Sequence, residues 1–374
     1  MEKPIWITNE ELRDLLKILA PARVVGGIVR NYLLGKQDSD VDIATIHLPK
    51  SIIQKARESN FKVIPTGLQH GTVTCVKKNT YEVTTLRIDV ETDGRHAVVK
   101  FCDSWYEDAA RRDLTINALY ADLDNNIYDY FGGESDLRNK IIKFIGNPTQ
   151  RIKEDYLRIL RYFRFFALYG EKPDSASLEA CYALRSGLNN IARERCTIEF
   201  LKLLDADDPR LALELLVQVL PYAGLPENDT FETFYANEQA LKRKGTTIGR
   251  LAAFSSQHEL KLSCKQKREL KLLHNMPMLV TLYDYVWFLQ NVELETFWNG
   301  VLLKGQNNLA ILDMLNPWLC TKFVVRAHDI HQYVKLEGRA LGKKLQELKE
   351  YFCRQTRPLS TDELLKQYFK GEFT

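Results

Sequence analysis

Hydrophobic and polar positions follow two different patterns along this chain of 374 residues. In roughly the first 135 residues, short runs of alternating β-branched or aromatic residues predict strands, and runs with helical spacing separate them. From residue 151 onward, almost every apolar stripe recurs at helical spacing. The pattern predicts an α+β fold, with a mixed α/β unit first and an all-helical remainder after it.

Individual elements follow from the same spacing. Thr8 and Glu11 form a capping-box pattern, and the leucines behind them recur at helical intervals, which predicts a helix before the first strand. Residues 154–165 are expected to form one continuous helix, and Pro317 is expected to break another. Further strands are expected at 41–45, 61–65, 71–76, 81–88 and 97–101, and further helices at 49–59 and 105–112.

The stretch 24–30 carries the first candidate chemistry. A short apolar strand is followed by Gly26 and Gly27 and then by a helical pattern that includes Arg30. Glycine lacks a Cβ, so the backbone can turn tightly and approach a ligand closely, and the start of a helix favours phosphate. The glycines do not match G-x-G-x-x-G, which disfavours a dinucleotide-binding Rossmann fold.

Asp40 and Asp42 follow in a predicted strand and are candidate metal ligands. Alternate strand residues share a face, so both carboxylates should point the same way. Such a pair beside a phosphate-binding turn suits Mg²⁺, which takes oxygen ligands from carboxylates and substrate phosphates. Glu82 lies between apolar residues in another predicted strand and is the candidate third catalytic carboxylate. The alternative is a glutamate that faces solvent.

Two arginine-rich segments are candidates for nucleotide binding. Arginine suits bidentate contact with phosphate, although an Arg-Arg-Asp run taken alone is more often a surface charge cluster. In a continuous helix Asp155 and Arg158 would be neighbours, and the simplest alternative is an ion pair worth about 0.3–0.5 kcal/mol. That pair does not account for three arginines at three-residue spacing among aromatic residues. The candidates are Arg111, Arg112, Asp113 and Asn117, then Asp155, Arg158, Arg161 and Arg164.

Together these motifs resemble, in order and spacing, those of the class II tRNA nucleotidyltransferases. These are the CCA-adding enzymes, close relatives of bacterial poly(A) polymerases in the DNA polymerase β-like superfamily. The resemblance is dense from about residue 22 to 166 and thinner at 191–204. Besides the residues already named, it rests on the segments 83–87 and 129–137.

The resemblance implies a nucleotidyltransferase head followed by a helical neck, body and tail. It implies template-independent addition of CMP and AMP from CTP and ATP to the 3′ end of tRNA, through two metal ions, with release of pyrophosphate. The boundaries expected are 1–138 for the head, 139–205 for the neck with its nucleotide-selecting motif, 206–275 for the body, and 276–374 for the tRNA-binding tail.

The resemblance also implies individual roles. Asp40 and Asp42 would hold Mg²⁺, Gly27, Arg30 and Arg112 would contact the triphosphate, and Asp155 and Arg158 would read the incoming base with support from Arg161 and Arg164. The chain departs from the family at Asn31, where the family usually has aspartate. The loss of that charge bears on how Arg30 is oriented.

The charge balance limits where tRNA could bind. The net charge of +3 is slight, so a nucleic-acid surface must be a local basic patch. Two basic runs in the helical part are candidates for phosphate contacts, with a solvated face as the alternative for each. Their members are Lys242, Arg243, Lys244, Arg339, Lys343 and Lys344.

Cysteine usage and hydropathy bear on location. The seven cysteines are scattered without a Cys-x-x-Cys pair, which favours reduced thiols in the cytoplasm over a zinc site or disulfides. The sequence shows no signal-peptide pattern and no uncharged stretch of membrane-spanning length. We expect a cytoplasmic protein with no membrane association and no obligatory protein partner.

Three rival functions stay open at this point. A poly(A) polymerase shares the head motifs, but the Gly-Arg-Arg-Phe-type segment of its bacterial members is absent between residues 45 and 73. An enzyme that adds only the two C residues resembles this chain but has a shorter loop where residues 89–98 lie here. A tRNA-binding protein with an inactive head is disfavoured because Asp40, Asp42 and Arg158 are all present.

Overall fold

The structure, a computed structural model, describes residues 3–36, 40–93, 96–220, 228–255, 259–304 and 309–372. The chain divides into two compact units, Met1–Tyr222 and Ala223–Thr374. In the described ranges the strands all belong to the first unit, and the second unit is helical, so the α+β class is confirmed. The finer division into head, neck, body and tail stays a prediction.

A mixed sheet of seven strands forms the framework of the first unit, in the order β3-β4-β5-β2-β1-β8-β9. β2 and β5 are parallel, and the other neighbours in this sheet are antiparallel. β6 and β7 form a separate antiparallel hairpin, and β10 pairs with β11. The strands are β1 Ala22–Val25, β2 Val41–Thr45, β3 Lys62–Gly67, β4 Thr72–Val76, β5 Thr80–Thr85, β6 Arg87–Asp93, β7 His96–Phe101, β8 Leu119–Ala121, β9 Ile127–Asp129, β10 Ile141–Ile142 and β11 Lys172–Pro173.

Helices cover the sheet and continue beyond it. Those of the first unit are α1 Ile5–Thr8, α2 Glu10–Ile18, α3 Gly27–Leu33, α4 Pro49–Glu58, α5 Trp105–Ala110, α6 Gly133–Arg138, α7 Pro148–Glu154, α8 Leu157–Tyr169, α9 Ser175–Ala183, α10 Arg193–Leu204 and α11 Arg210–Val217. Short 3₁₀ helices lie at Leu68–His70, Thr115–Asn117 and Arg185–Asn190. The second unit contains α12 Asn228–Leu241, α13 Thr247–Phe254, α14 Cys264–Asn275, α15 Leu282–Asn291, α16 Leu294–Lys304, α17 Leu309–Leu319, α18 Ala327–His331, α19 Gly338–Cys353 and α20 Thr361–Glu372. Within the described ranges, no helix is both long enough and apolar enough to cross a membrane.

Both faces of the sheet are covered, because its strands alternate between two apolar clusters. Val24 and Ile43 belong to the larger cluster, with Trp6 and the leucines of α2. Val25 and Ala44 belong to the second cluster, with Tyr120. Side chains two residues apart on a strand share a face, so Asp42 lies on the same face as Ala44. The sheet therefore presents this carboxylate beside the second cluster.

The structure corrects three local expectations. The cap of α2 is Asn9, which accepts from the Leu12 backbone at 3.0 Å, so the capping box assigned to Thr8 and Glu11 is wrong. Glu11 instead accepts two backbone N–H groups at the turn between β4 and β5. Pro317 does not break a helix but lies in the last turn of α17, beside the fully buried Trp318. Packing of the tryptophan outweighs the lost backbone hydrogen bond there.

The third correction concerns the strand expected at 81–88, which divides at Leu86. The backbone N–H of Leu86 donates to the Thr45 carbonyl at 2.8 Å, and its carbonyl accepts from Cys102 at 3.0 Å. The chain thus leaves the sheet and enters the hairpin of β6 and β7. That hairpin occupies the region expected to be a loop at 89–98, of which residues 94 and 95 lie outside the described residues.

Candidate functional site

The glycine turn between β1 and α3 forms one wall of the site. Gly26 has φ of 74° and ψ of −121°, a conformation that strongly favours glycine. A Cβ at this position would lie 3.5 Å from the Asn117 carbonyl oxygen and 3.8 Å from Nη1 of Arg112. The turn that the sequence predicted is therefore present, and the backbone there packs directly against the Arg-Arg-Asp segment.

The acidic side of the site lies on two parallel strands. Glu82 on β5 is the register partner of Asp42 on β2, so the two residues lie side by side on neighbouring strands. Burial, together with the charges of Glu82 and Asp40, raises the pKa of Asp42 to about 6 against the opposing effect of Arg112. Carboxylates that repel one another in this way suit a divalent cation, whose charge offsets the repulsion.

Within the described part of the chain, no three His, Cys, Asp or Glu side chains lie close enough together to hold a metal alone. Asp40 and Asp42 fit an ion that takes its other oxygen ligands from a phosphate group and water. The side chain of Glu82 is exposed and does not line the cavity. Its catalytic role stays a prediction.

A cavity of about 620 Å³ opens between the glycine turn, the carboxylates and α8. Six arginines and four aspartates line it, which gives an excess of positive charge suited to an anionic ligand. Among the residues proposed from the sequence for catalysis or nucleotide binding, Glu82, Asp155 and Arg164 do not line this cavity. Its lining comprises Gly26, Gly27, Arg30, Asn31, Asp40, Asp42, Arg87, Asp89, Arg111, Arg112, Asp113, Asn117, Arg158, Arg161 and Phe165.

Arg30 is held in place although Asn31 stands where the family usually has aspartate. Arg30 donates to Oδ1 of Asn117 at 2.5 Å and to Oδ1 of Asn31 at 3.3 Å. Its guanidinium also lies over the rings of Tyr169, at 4.5 Å, and Phe165, at 5.2 Å. Burial lowers the pKa of Arg30, and Tyr169 and Asp113 oppose this effect. Asn31 supplies an oxygen acceptor at the position in question, so the orientation does not require a carboxylate.

Asp113 connects the Arg-Arg-Asp segment to α8. Its carboxylate accepts from Nε of Arg161 at 2.6 Å, from Nδ2 of Asn117 at 3.1 Å and from the Leu114 backbone at 2.8 Å. Burial alone would raise the pKa of Asp113, but Arg161 and these hydrogen bonds hold it well below its usual range. Asp113 therefore fixes Arg161 at the cavity.

The expectation of one continuous helix at 154–165 is wrong. α7 ends at Glu154, Asp155 is extended, and α8 begins at Leu157. Asp155 accepts from the Leu157 backbone at 3.0 Å and from Arg195 on α10 at 3.0 Å. A carboxylate that bonds the first backbone N–H of a following helix competes with continuation of the helix before it. Asp155 and Arg158 are therefore not neighbours on one helical face.

The arginines of α8 are held by different carboxylates. Arg158 lines the cavity and donates to Glu154 at 2.6 Å. Arg164 forms an ion pair with Glu199 at 3.2 Å. The cavity is also lined by four residues that the sequence had not proposed for binding, namely Asn31, Arg87, Asp89 and Phe165. Arg87 belongs to a segment on which the family resemblance rests, and that was the available signal for it.

The predicted tRNA-contacting residues lie in the second unit. Arg243 pairs with Glu295 at 3.0 Å and stacks over Trp298 at 4.7 Å, and Lys344 pairs with Glu347 at 2.9 Å. Part of the expected basic charge is therefore neutralised within the unit. The side chains of the other predicted contacts, Lys242, Lys244, Arg339 and Lys343, are exposed.

Comparisons with known proteins identify the family that this chain resembles. The family described as "Poly A polymerase head domain" matches residues 22–143, and the family described as "Probable RNA and SrmB- binding site of polymerase A" matches residues 172–227. The mitochondrial protein "CCA tRNA nucleotidyltransferase 1" of Mus musculus is 35% identical over 96% of this chain and 89% of its own length. The "CCA-adding enzyme" of Bacillus subtilis (strain 168) is 38% identical over 60% of this chain and 57% of its own.

Solved structures share the fold. The Bacillus stearothermophilus CCA-adding enzyme in complex with CTP superposes with a TM-score of 0.68 at 24% identity, over 100% of both chains. The Thermotoga maritima CCA-adding enzyme complexed with tRNA superposes with a TM-score of 0.65 at 17% identity, over 98% of this chain and 96% of that one.

Proposed function

This chain belongs to the family of CCA-adding tRNA nucleotidyltransferases, and we propose that it adds CMP and AMP from CTP and ATP to the 3′ end of tRNA and releases pyrophosphate. One observation carries the proposal: the glycine turn, Asp40 and Asp42, and six arginines all line the same cavity. Phosphoryl transfer needs positioning and charge neutralisation more than covalent help from the protein, and this cavity offers both.

The arginines bind and orient the nucleotide. Arg30 and Arg112 lie beside the Gly26 turn and contact the triphosphate, since a guanidinium N–H group can donate a charge-assisted hydrogen bond to a phosphate oxygen. Arg158 and Arg161 approach from α8, where the base would lie. Asp155 contributes to base selection through Arg195 and the start of α8, because its carboxylate contacts both.

Mg²⁺ is the metal that fits the acidic side of the cavity. Asp40 and Asp42 would hold it, with phosphate and water oxygens completing its ligands. When bound, it supplies charge neutralisation at the phosphates and a more acidic 3′ hydroxyl on the tRNA. Glu82 would add negative charge beside Asp42, which strengthens the attraction for a cation.

The proposed reaction defines the substrates, and the cysteines bear on the location of the protein. tRNA, CTP and ATP are the substrates, and the basic positions of the second unit contact tRNA phosphates. The seven cysteines form no disulfide with one another in the described part of the chain, which supports a reducing compartment, the cytoplasm. The related proteins named above include bacterial and mitochondrial members.

The test is incubation of the protein and Mg²⁺ with tRNA that lacks its last three nucleotides, with each labelled nucleotide separately and with CTP and ATP together. We expect products that grow by CCA and then stop. Asp42→Asn is the matched control, because it keeps side-chain size and removes the charge; its addition rate should fall at least about 100-fold while tRNA binding is retained.

Other outcomes identify the rivals. Growth by two C residues alone would identify a CC-adding enzyme, and a long A tract would identify a poly(A) polymerase. Binding of tRNA without any extension would identify a tRNA-binding protein with an inactive head. Wild-type rates in Asp42→Asn would contradict the proposal that Asp40 and Asp42 hold the metal.

A further inference from the structure

A buried carboxylate lies behind the Arg-Arg-Asp segment. Asp108, on α5, has a side chain only 1% exposed. Its Oδ1 accepts from Nε of Arg111 at 2.9 Å and from Nη2 of the same arginine at 2.8 Å. Its Oδ2 accepts from the Tyr120 hydroxyl at 2.7 Å and from Nη2 of Arg112 at 3.2 Å. One carboxylate thus holds both arginines and a tyrosine.

Tyr120 closes this network. Nε of Arg112 donates to the Tyr120 hydroxyl at 3.1 Å, and that hydroxyl donates to Asp108. Burial alone would raise the pKa of Asp108, but Arg112, Arg111 and the Tyr120 hydroxyl outweigh it and hold the pKa at about 2. Asp108 is therefore charged at neutral pH, and its hydrogen bonds to the guanidinium groups are charge-assisted.

The network leaves one end of Arg112 directed at the cavity. Asp108 and Tyr120 hold Nη2 and Nε, whereas Nη1 lies 3.8 Å from where a Cβ on Gly26 would be. Both Arg111 and Arg112 line the cavity. Their long side chains have many rotamers, so a buried anchor restricts them before the nucleotide binds.

We propose that Asp108 is a positioning residue for nucleotide binding, because its carboxylate fixes Arg111 and Arg112 toward the phosphates of the incoming CTP or ATP. This inference rests on the proposed function, which assigns the two arginines to the nucleotide. Asp108 does not itself line the cavity. It acts through the arginines, and its loss should weaken nucleotide binding more than it slows the chemical step.

The main test is Asp108→Asn, measured by calorimetric titration with CTP and Mg²⁺ in the absence of tRNA. The amide keeps the shape of the side chain but loses the charge and turns an N–H group toward a guanidinium. We expect the dissociation constant for CTP to rise at least about tenfold. In steady-state assays, KM for CTP should rise by a similar factor while kcat changes less.

Asp122→Asn is the matched control. Asp122 also accepts several hydrogen bonds in the same unit, from Asn126 and Tyr128 among others, but it does not line the cavity and contacts neither arginine. Its variant should bind CTP as the wild type does. An equal loss of affinity in both variants would show that Asp108 acts only through general stability and would overturn the proposal, as would wild-type affinity in folded Asp108→Asn.

Tyr120→Phe keeps the proposal testable if Asp108→Asn does not fold. This change removes only the hydroxyl, which accepts from Nε of Arg112 and donates to Asp108, and the ring stays packed against Trp105. We expect the dissociation constant for CTP to rise at least about threefold. An unchanged constant would then overturn the proposal.

Calorimetry separates this proposal from the proposed function. If the wild type binds CTP but extends no tRNA, the proposal of CCA addition is contradicted. The comparison of Asp108→Asn with Asp122→Asn would still decide whether Asp108 positions the arginines.

Discussion

Arg158 lines the cavity, and hydrogen bonds to residues of α7 fix the position of its guanidinium. Its Nη1 donates to Glu154 at 2.6 Å and to the Arg151 carbonyl at 3.0 Å. Arg151 makes its own ion pair with Glu154 at 2.6 Å, so Glu154 keeps a partner when Arg158 is removed. The role of Arg158 in base selection can therefore be tested without leaving a carboxylate unpaired.

Arg158→Ala should keep measurable transfer and lose discrimination among bases. A guanidinium can donate to N3 and O2 of cytosine, whereas N3 of uracil carries a hydrogen and leaves the arginine without that acceptor. An unpaired polar group in a desolvated site is costly, so the arginine favours cytosine. On tRNA that ends before CCA, the ratio of kcat/KM for CTP to that for UTP should fall at least about tenfold, or about 1.4 kcal/mol.

Two further variants separate charge from geometry in that experiment. Arg158→Lys keeps the charge without the planar fork, so it should restore only part of the ratio. Arg138→Ala removes an exposed arginine that pairs with Glu134 on α6, and it should leave the ratio unchanged. A wild-type ratio in Arg158→Ala would mean that the base is read by other residues.

At the scale of elements, the break between α7 and α8 sets the positions of Asp155 and Arg158, the two residues predicted to read the base. Tyr156 lies in this break, between Asp155 and the start of α8. A Cβ added to Gly187 would come within 2.0 to 2.4 Å of three Tyr156 ring atoms, a distance that no side chain can accept. The Tyr156 ring therefore packs directly on Gly187, where a larger residue leaves no room for it.

Gly187→Ala should displace Tyr156 and disturb the start of α8. We expect a loss of about 1–3 kcal/mol in stability, as for other overpacked sites, and a higher KM for CTP and ATP. Differential scanning calorimetry and steady-state kinetics measure the two effects. Gly342→Ala is the control: it lies on α19 with open space around it, and it should be neutral or stabilising. Equal stability of Gly187→Ala and the wild type would contradict the packing argument.

The sequence predicts elements well where the signal is local. The alternation in β2 and the tight turn at Gly26 and Gly27 are set by neighbouring residues, and both were predicted. The division at Leu86 depends on backbone partners at Thr45 and Cys102, which are distant in sequence, and alternation does not reveal them.

The site follows the same rule. Its residues could be named from motifs, but their pairing could not, because Asp113 meets Arg161 across 48 positions and Asp155 meets Arg195 across 40. The break at Asp155 did have a local signal, since aspartate is a preferred residue at the N-terminal cap of a helix. Helical spacing of the arginines outweighed that signal in the prediction.

At the scale of the whole molecule, tRNA must be held by a protein with little net charge. The formal charge is +3, and Glu295 and Glu347 neutralise part of the two basic runs. The exposed side chains of Lys242 and Lys244 lie just after α12, and that of Arg339 lies at the start of α19. If these positions contact phosphates, binding of tRNA depends on a few exposed charges and not on the net charge of the whole protein.

Binding of tRNA should therefore weaken steeply with salt, since each neutralised phosphate releases counterions and adds about 0.9 to the slope of log Kd against log salt. The double change Lys242→Gln and Lys244→Gln should weaken binding and lower this slope by about two if each lysine contacts one phosphate. Lys62→Gln on β3 removes an exposed lysine of the first unit and should leave the slope unchanged. The slope is measured by fluorescence anisotropy of labelled tRNA between roughly 50 and 200 mM salt. An identical slope in the double variant and the wild type would mean that the tRNA backbone is held elsewhere, because loss of a phosphate contact must change the number of counterions released.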